Sequence, residues 1–315
     1  MAVGDNIKKR RFELNLSQQE LADLMGYRSR STIAKIESGE NDINQQKLRK
    51  FAQVLDTTVD ALIGSAEAAS GIKPASFTPS PGGTRTAVII LAGGKSIRNQ
   101  QNVPNQFINI LGKPVIIYCM EAYQNHPAVD DIYVICLKGW EGIVTAYAQQ
   151  YGITKLRGMI PGGSTGVLSI KNGLDAIGES YSPEDTVIIQ ESTRPLVTVD
   201  MISKLLGVCE STGTATIAHS MKDYVQFSVE ESRTSYIDRN LLMDLQSPEA
   251  HKLSRLQKIF REAEEKNHPL TESCCTMLMY ELGKEIRFIE GSTLNLKIVR
   301  QEDIAIATAL LKQNY

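Results

Sequence analysis

A glycine-rich string in the middle of the chain has the residue types needed to hold a phosphate-bearing ligand. The string LAGGKSIRNQQNVPNQF begins at Leu91, directly after a run of β-branched residues, and contains Gly93 and Gly94. A glycine turn that leaves a strand lets phosphate approach backbone N–H groups, and a nearby cation such as Arg98 can neutralise it. Two adjacent glycines alone indicate little. The complete pattern of strand, LAGG, Arg, P-x-Q-F and a helix opened by GKPVI predicts a nucleotide site.

The chain ahead of this string has the pattern of a small helical domain. Residues 1–64 place apolar side chains at helical spacing with polar breaks between them, which predicts successive short helices. Ser17 and Glu20 have the spacing of a capping box at the start of one helix, and Gly26 is suited to end it. Further helices are predicted over residues 31–37, 45–55 and 59–63.

Two changes of pattern separate this helical domain from the rest of the chain. Residues 65–85 are rich in Pro, Gly, Ser and Ala and predict a flexible linker. Residues 86–315 then alternate β-branched runs (AVIILA, DDIYVICL, DTVIIQE and TATIAHS) with helical stretches. The clearest of these helices cover residues 114–124, 164–177 and 199–211. This alternation predicts a Rossmann-like α/β domain, in which helices cover both faces of a mostly parallel sheet.

Composition favours a packed cytoplasmic protein. Hydrophobic residues make up 42% of the chain and charged residues 22%, while 34 Lys and Arg nearly balance 36 Asp and Glu. Residues 1–64 hold 10 basic against 9 acidic residues, a net of +1, so DNA binding would need a local patch. The five cysteines show no metal-ligand spacing and are expected as reduced thiols. The longest apolar run, residues 87–92, is too short to span a bilayer.

The helical domain resembles the Cro/repressor-type (XRE) helix-turn-helix family. The resemblance lies in LSQQELADLMGY, STIAKIESGEN and LRKFAQVLDTTVDALIG, and it covers nearly all of residues 4–64. In this family the second helix of the motif enters the major groove, and the preceding helix touches phosphate. Double-stranded DNA is therefore the implied partner, and the implied contacts are Gln18, Arg28, Ser29, Arg30, Ser31, Thr32 and Lys35. The alternative is a helical domain that binds a protein partner.

The α/β domain resembles the cytidylyltransferases that make CDP-methylerythritol and CDP-ribitol. Beyond the glycine string, the matching segments in order are PGGSTGVLSIKNGL, VIIQESTRPLV, IAHSMKD, a Thr-acidic pair and LNLKIVRQEDIAIA. The resemblance covers nearly all of residues 86–312, and SIKNGL is closer to the ribitol-phosphate branch. In such enzymes the substrate phosphate attacks the α-phosphorus of CTP in line, so catalysis rests on positioning and cationic stabilisation.

The resemblance also assigns roles to individual residues. The implied ligands are CTP with Mg²⁺ and a polyol phosphate. The implied catalytic residues are Arg98, Arg194 and Lys297. The implied nucleotide-binding residues are Leu91, Ala92, Gly93, Gly94, Lys95, Gly162, Gly163, Ser169 and Glu191. The implied substrate-binding residues are Asp223 and Thr271, and Glu191 is the implied metal ligand.

Several positions depart from the family pattern. Asn105 stands where the family has Lys, Glu191 where it has Asp, Gly166 where it has Arg or an equivalent, and Ser96 where it has glycine. Each lost charge-assisted contact is expected to cost on the order of 2–4 kcal/mol of transition-state stabilisation. Lys95 is close enough in sequence to compensate for Asn105 in part.

These observations leave two main hypotheses open. The first is a nucleotidyltransferase that transfers CMP to a polyol or sugar-alcohol phosphate and carries a DNA-binding regulatory head. The second is a transcription regulator whose degenerate cytidylyltransferase domain only senses CTP or a CDP-linked metabolite. Relatives dimerise through an arm inserted where residues 224–240 lie here, so a homodimer is expected, with two helix-turn-helix units matched to a two-fold operator.

Overall fold

A computed structural model gives two compact units, residues 1–73 and residues 74–315. The residues that the structure describes are 3–14, 16–27, 29–41, 45–55, 57, 62, 83–95, 103–230 and 233–313. The predicted linker therefore lies outside the described residues except at its end. There Arg85 is anchored in the larger unit, because its N–H donates to Asp185 Oδ1 at 2.7 Å and its guanidinium pairs with Asp131.

The smaller unit is helical, as the apolar spacing predicts. Its described helices are α1 (Val3–Glu13), α2 (Gln18–Met25), α3 (Arg30–Glu37) and α4 (Gln45–Val54). The Ser17–Glu20 capping box and the left-handed Gly26 at the end of α2 are both confirmed. Apolar side chains from all of these helices pack into one core, which includes Ile7, Leu21, Ile33 and Phe51. The helix predicted over residues 59–63 lies outside the described residues except for the buried, helical Leu62.

The larger unit has the alternating α/β pattern that the sequence predicts. Its described helices are α5 (Val115–Gln124), α6 (Glu141–Gln150), α7 (Gly166–Ile177), α8 (Val199–Thr212), α9 (Leu253–Glu265), α10 (Cys275–Glu281) and α11 (Gln301–Lys312). Its described strands are β1 (Thr86–Ala92), β2 (Asn109–Ile110), β3 (Lys113–Pro114), β4 (Asp131–Cys136), β5 (Leu156–Pro161), β6 (Thr186–Glu191), β7 (Thr214–Ser220), β8 (Gln226–Glu230), β9 (Arg233–Ile237), β10 (Met243–Lys252) and β11 (Phe288–Glu290).

Within the described chain, seven of these strands form one mostly parallel sheet in the order β11-β7-β10-β6-β1-β4-β5. Only β10 runs antiparallel to its neighbours, β6 and β7. The interior strand β1 is buried on both faces, and alternate side chains point to opposite sides of a strand. Val88 and Ile90 belong to one core cluster together with residues of α5, α6 and α8, whereas Ala87 and Ile89 belong to a second cluster with residues of α7, α9 and α10. The expected cover of helices on both faces is confirmed.

The predicted arm is a β-hairpin that extends from the α/β unit. Strands β8 and β9 pair antiparallel in a separate two-stranded sheet, with Phe227 opposite Tyr236. The two rings meet edge to face, and both side chains are more than half exposed. Among the residues that the structure describes, no helix combines the length and apolar character needed to cross a bilayer.

Candidate nucleotide site and DNA-binding face

The candidate nucleotide site lies at the carboxyl ends of the central strands. β1 is flanked by β4 on one side and by β6 on the other, so the chain leaves β1 towards β4 and β5 but leaves β6 towards β7 on the opposite side. Ligands of open α/β sheets bind in the crevice at such a switch point, outside the carboxyl ends of the strands. Here Ala92, Cys136 and Glu191 end neighbouring strands and bring the predicted residues to one edge of the sheet.

Gln106, whose only signal in the sequence is its place in the P-x-Q-F motif, fixes the glycine turn after β1. Gln106 is buried, and its Nε2 donates to the carbonyl oxygens of Ala92 at 2.8 Å and Gly94 at 2.9 Å. These bonds orient the start of the predicted phosphate loop. Lys95 is exposed on that loop. Arg98, the predicted cation, lies outside the described residues, as does Ser96.

Glu191 joins two of the predicted charged residues in one cluster. Its carboxylate forms an ion pair with Lys297 through Oε1 and accepts a hydrogen bond from Arg194 Nε at 2.8 Å through Oε2. Burial alone would raise the pKa of Glu191, but the charges of Lys297 and Arg194 outweigh burial and hold this pKa below its usual range. The carboxylate is therefore charged at neutral pH, as a Mg²⁺ ligand must be.

Backbone contacts hold this cluster in place. Arg194 is buried, and its guanidinium donates to the Asn295 carbonyl oxygen at 2.6 Å. The Glu191 N–H donates to Ser247 Oγ on β10 at 3.1 Å. The Ile298 N–H donates to the Thr193 carbonyl oxygen at 2.9 Å, which ties the segment bearing Lys297 to the end of β6. The cluster is thus built from β6, β10 and the segment that leads to α11.

Asn105 has a structural role at the position where the family has a cation. It is buried, and its Nδ2 donates to the carbonyl oxygens of Ile298 at 3.4 Å and Val299 at 3.2 Å, directly after Lys297. A lysine could make only part of these contacts and would bring a charge into a buried position. Asn105 therefore anchors the Lys297 segment, at a position where the resemblance led us to expect a lysine.

The residues predicted for the cytosine end are also brought together. The Gly163 N–H donates to Ser169 Oγ at 3.0 Å, and that hydroxyl donates to the Thr165 carbonyl oxygen at 2.8 Å. The Cα of Gly162 would lie 3.8 Å from a Cβ placed on Gly93, so this loop adjoins the phosphate loop. The two glycine segments predicted from sequence therefore form neighbouring walls of one site.

The two residues predicted to bind the substrate, Thr271 and Asp223, lie in different segments of the α/β unit. Thr271 is exposed in the segment before α10, which packs on the amino end of α7. Gly166 is required there, because a Cβ on it would lie 2.1 Å from the Ser273 carbonyl oxygen. The chain itself therefore occupies the space into which a larger side chain at this position would extend. Asp223 is exposed in the turn between β7 and the arm and does not contact the Glu191 cluster.

Apart from Gln18 on α2, the described residues of the predicted DNA-binding set lie on α3 or directly before it. Ser29 caps α3 by accepting a hydrogen bond from the Ser31 N–H, and both are exposed, as are Arg30 and Lys35. Thr32 is partly buried, and Arg28 lies outside the described residues. Ile33 and Ile36 face the core, so the exposed residues share the outer side of the helix. This arrangement presents polar and basic groups on one helix face.

Gln18, at the amino end of α2, forms a hydrogen bond with a buried ion pair. Arg11 and Glu37 pair at 2.6 Å with both side chains nearly inaccessible, and Gln18 Nε2 donates to Glu37 Oε2 at 2.9 Å. This pair links α1 to α3 and holds Gln18 in one orientation. A phosphate contact by Gln18 would therefore come from a side chain that is already fixed.

Comparison with known proteins identifies relatives of both units. Residues 86–313 match the family model described as 2-C-methyl-D-erythritol 4-phosphate cytidylyltransferase, and residues 7–62 match a helix-turn-helix model. The chain is 32% identical to the ribitol-5-phosphate cytidylyltransferase of Lacticaseibacillus paracasei, covering 71% of this chain and 97% of the relative. It is 26% identical to the 2-C-methyl-D-erythritol 4-phosphate cytidylyltransferase of Clostridium botulinum, covering 73% and 99%.

Solved structures share the fold of the α/β unit. The 4-diphosphocytidyl-2C-methyl-D-erythritol synthase of Anaerococcus prevotii superposes with a TM-score of 0.62 at 19% identity, covering 73% of this chain and 99% of that protein. The Rossmann-like architecture predicted from the alternating pattern is therefore confirmed.

Proposed function

We propose that this chain, which belongs to the cytidylyltransferase family over residues 86–313, transfers CMP from CTP to ribitol 5-phosphate or a close polyol phosphate. The observation that carries the proposal is the cluster of Glu191, Arg194 and Lys297 at the carboxyl edge of the sheet, beside the two glycine walls. The higher identity to the ribitol-phosphate enzyme supports the choice of acceptor.

The proposed reaction needs no covalent intermediate on the protein. A phosphate oxygen of the polyol phosphate attacks the α-phosphorus of CTP, and the bond from that phosphorus to the bridging oxygen breaks. Pyrophosphate leaves with the electron pair of that bond. In this proposal Lys297 stabilises the negative charge that accumulates around the phosphorus, and by resemblance Arg98 adds a second cation. The protein's contribution is therefore positioning and charge.

The residues at the site fit a magnesium ion that is shared with the nucleotide. Among the described residues, no group of three or more His, Cys, Asp or Glu side chains could hold a metal on its own. Mg²⁺ is typically bound by one or two carboxylates together with substrate phosphates and water. Glu191 offers one such carboxylate, and Mg²⁺ bound there would neutralise charge on the triphosphate. Glu191 would then exchange part of its ion pairing with Lys297 for the metal.

Substrate preference provides a direct test of the proposed acceptor. Pyrophosphate release with CTP and Mg²⁺ should show a kcat/KM for ribitol 5-phosphate about 10- to 100-fold above that for methylerythritol 4-phosphate, the effect of leaving one buried polar group without its partner. The reason is that ribitol has one more hydroxyl group, whose loss would leave polar groups of the site without a partner. Equal values, or a preference for methylerythritol 4-phosphate, would contradict the ribitol assignment while leaving the transferase assignment intact.

We further propose that the helix-turn-helix unit binds duplex DNA and that the arm makes the protein a homodimer. The exposed Arg30, Ser31 and Lys35 on one face of α3 support DNA contact, and the exposed Phe227 and Tyr236 support burial of the arm against a second copy. A two-fold dimer would offer paired recognition helices to a two-fold operator. The head would then regulate genes connected with the reaction.

Replacing Lys35 with alanine should weaken DNA binding by removing one phosphate contact. The slope of log affinity against log salt for a mixed-sequence duplex, measured by fluorescence anisotropy, should become shallower by about 0.9. Lys47→Ala, which removes an exposed cation from α4, is the charge-matched control and should leave the slope unchanged. If both variants changed the slope equally, the assignment of α3 to the groove would be wrong.

A further inference from the structure

A buried carboxylate near the end of β10 has no part in the chemistry described above. Glu249 is only 3% exposed, and it accepts hydrogen bonds from the Cys275 N–H at 2.9 Å, the Thr276 N–H at 2.8 Å and the Thr276 hydroxyl at 2.5 Å. His251 Nε2 lies 3.6 Å from Glu249 Oε2. Burying a carboxylate is costly unless hydrogen bonds satisfy it, so these donors define where the start of α10 can lie.

The segment that Glu249 fixes is the one that carries Thr271. Residues 270–276, called here the clamp segment, run into the start of α10 and also touch the amino end of α7. Thr165 Oγ1 donates to the Leu270 carbonyl oxygen at 2.8 Å, and the Val167 N–H donates to the Glu272 carbonyl oxygen at 3.1 Å. The clamp segment is therefore held from two sides, by Glu249 and by α7.

The amino end of α7 continues this chain of contacts into the nucleotide site. The Thr165 carbonyl oxygen accepts from Ser169 Oγ at 2.8 Å, and Ser169 Oγ accepts from the Gly163 N–H at 3.0 Å. Gly166 lies so close to the clamp segment that a Cβ on it would be 2.1 Å from the Ser273 carbonyl oxygen, so the two segments are packed directly against each other. A shift of the clamp segment would thus move both Thr271 and the loop predicted to hold the cytosine end.

The same stretch of β10 also holds the charged cluster. Two residues before Glu249, Ser247 Oγ accepts the Glu191 N–H, and the Ser247 carbonyl oxygen accepts Asn295 Nδ2 at 2.8 Å. The Asn295 carbonyl oxygen in turn accepts from Arg194. Residues 247–249 therefore connect the cations at the α-phosphate to the clamp segment on the acceptor side.

We propose that Glu249 is a positioning residue for the transfer reaction, whose buried carboxylate sets the clamp segment so that Thr271 meets the polyol phosphate at a fixed distance from the Glu191 cluster. The proposal rests on the proposed function, because it assigns Thr271 to the acceptor. It goes beyond that function because Glu249 itself touches neither CTP nor the acceptor.

The test compares Glu249→Gln with a variant that loses an equally buried carboxylate elsewhere. Asp131, the first residue of β4, is also 3% exposed and accepts from Arg157 and Tyr181, so Asp131→Asn is the matched control for destabilisation. Glu249→Gln should raise the KM for ribitol 5-phosphate about tenfold and leave the KM for CTP within about twofold. Asp131→Asn should lower the melting temperature without changing either KM.

Coupling to Thr271 gives a second readout. Thr271→Val should raise the KM for ribitol 5-phosphate as Glu249→Gln does. The KM of the double variant should exceed the higher of the two single-variant values by no more than about twofold. The positioning role would be overturned if Glu249→Gln changed the KM for CTP as much as the KM for ribitol 5-phosphate. It would also be overturned if Asp131→Asn changed these KM values to the same extent, or if the effects of Glu249→Gln and Thr271→Val were fully additive.

Failure of the proposed function would be recognised separately, as the absence of pyrophosphate release by the unmodified protein. In that case the binding of ribitol 5-phosphate by calorimetry replaces KM as the readout. About tenfold weaker binding by Glu249→Gln than by Asp131→Asn would support the positioning role, and equal binding would overturn it.

Discussion

Replacing Lys297 with alanine is expected to lower kcat for pyrophosphate release by about 10²- to 10³-fold, the usual effect of removing one group that stabilises charge in the transition state. Lys297 reaches the site from the segment before α11 and pairs with Glu191. Because its charge acts on the phosphorus as negative charge accumulates there, the KM for CTP should change much less than kcat. Steady-state kinetics with CTP and ribitol 5-phosphate measure both values.

Lys312→Ala provides the control for Lys297. Lys312 is an exposed cation in the last turn of α11, outside the cluster, and its loss should leave kcat within about twofold. A Lys297→Ala protein that retained more than about a third of the unmodified kcat would show that this cation does not act on the transferred phosphoryl group.

Glu191→Gln is expected to lower kcat/KM about 10²-fold and to raise the Mg²⁺ concentration for half-maximal activity about tenfold. The amide keeps the size of the side chain but removes the charge that attracts Mg²⁺, Lys297 and Arg194. The lowered pKa of Glu191 means that its carboxylate loses its charge only when the pH falls below the usual carboxyl range. The defect of the variant should therefore be the same throughout the neutral range.

Glu210→Gln is the matched control for this variant, because Glu210 also pairs with a lysine, Lys252, but lies on α8 with its side chain mostly exposed. It should change neither kcat/KM nor the Mg²⁺ dependence. If Glu191→Gln lost activity without any change in Mg²⁺ dependence, its role would be confined to holding Lys297 and Arg194, and the metal would bind elsewhere.

Those strands and helices that the sequence predicted form in the structure because local pattern and tertiary structure agree there. TATIAHS forms β7 over the predicted residues, and the helix predicted over 199–211 ends one residue later, at Thr212, followed by Gly213 in a left-handed conformation. The antiparallel direction of β10 could not be predicted in the same way. Its residues, MDLQSPEAHK, are mostly polar, and its direction is set by pairing with β6 and β7, which are distant in sequence.

The site was predictable where it depends on motif spacing and unpredictable where it depends on contacts distant in sequence. Gly93, Gly163 and Glu191 follow strands or mark turns, so their convergence follows from strand order. From the sequence alone, Asn105 indicates only the loss of a cation. Its structural role could not be predicted, because its bonds to Ile298 and Val299 join residues nearly 200 positions apart. Glu249 gives no sequence signal, since a lone acidic residue on a strand is usually exposed.

Gly166 illustrates how a departure from a family pattern can have a packing cause. From sequence it removes a side chain from the site, which suggests lost activity. In the structure the Ser273 carbonyl oxygen occupies the space beside it, so the glycine and the position of the clamp segment depend on each other. The departure therefore does not by itself indicate a degenerate enzyme, and measured turnover has to decide.

Product formation under single-turnover conditions tests the central claim most directly. The purified protein, in excess over CTP and supplied with Mg²⁺ and ribitol 5-phosphate, should convert CTP to CDP-ribitol with one pyrophosphate released for each CTP consumed. The Lys297→Ala protein should still bind CTP but convert it about 10²- to 10³-fold more slowly. Saturable CTP binding with no CDP-linked product and no pyrophosphate from any polyol phosphate would contradict the transferase and identify the domain as a nucleotide sensor.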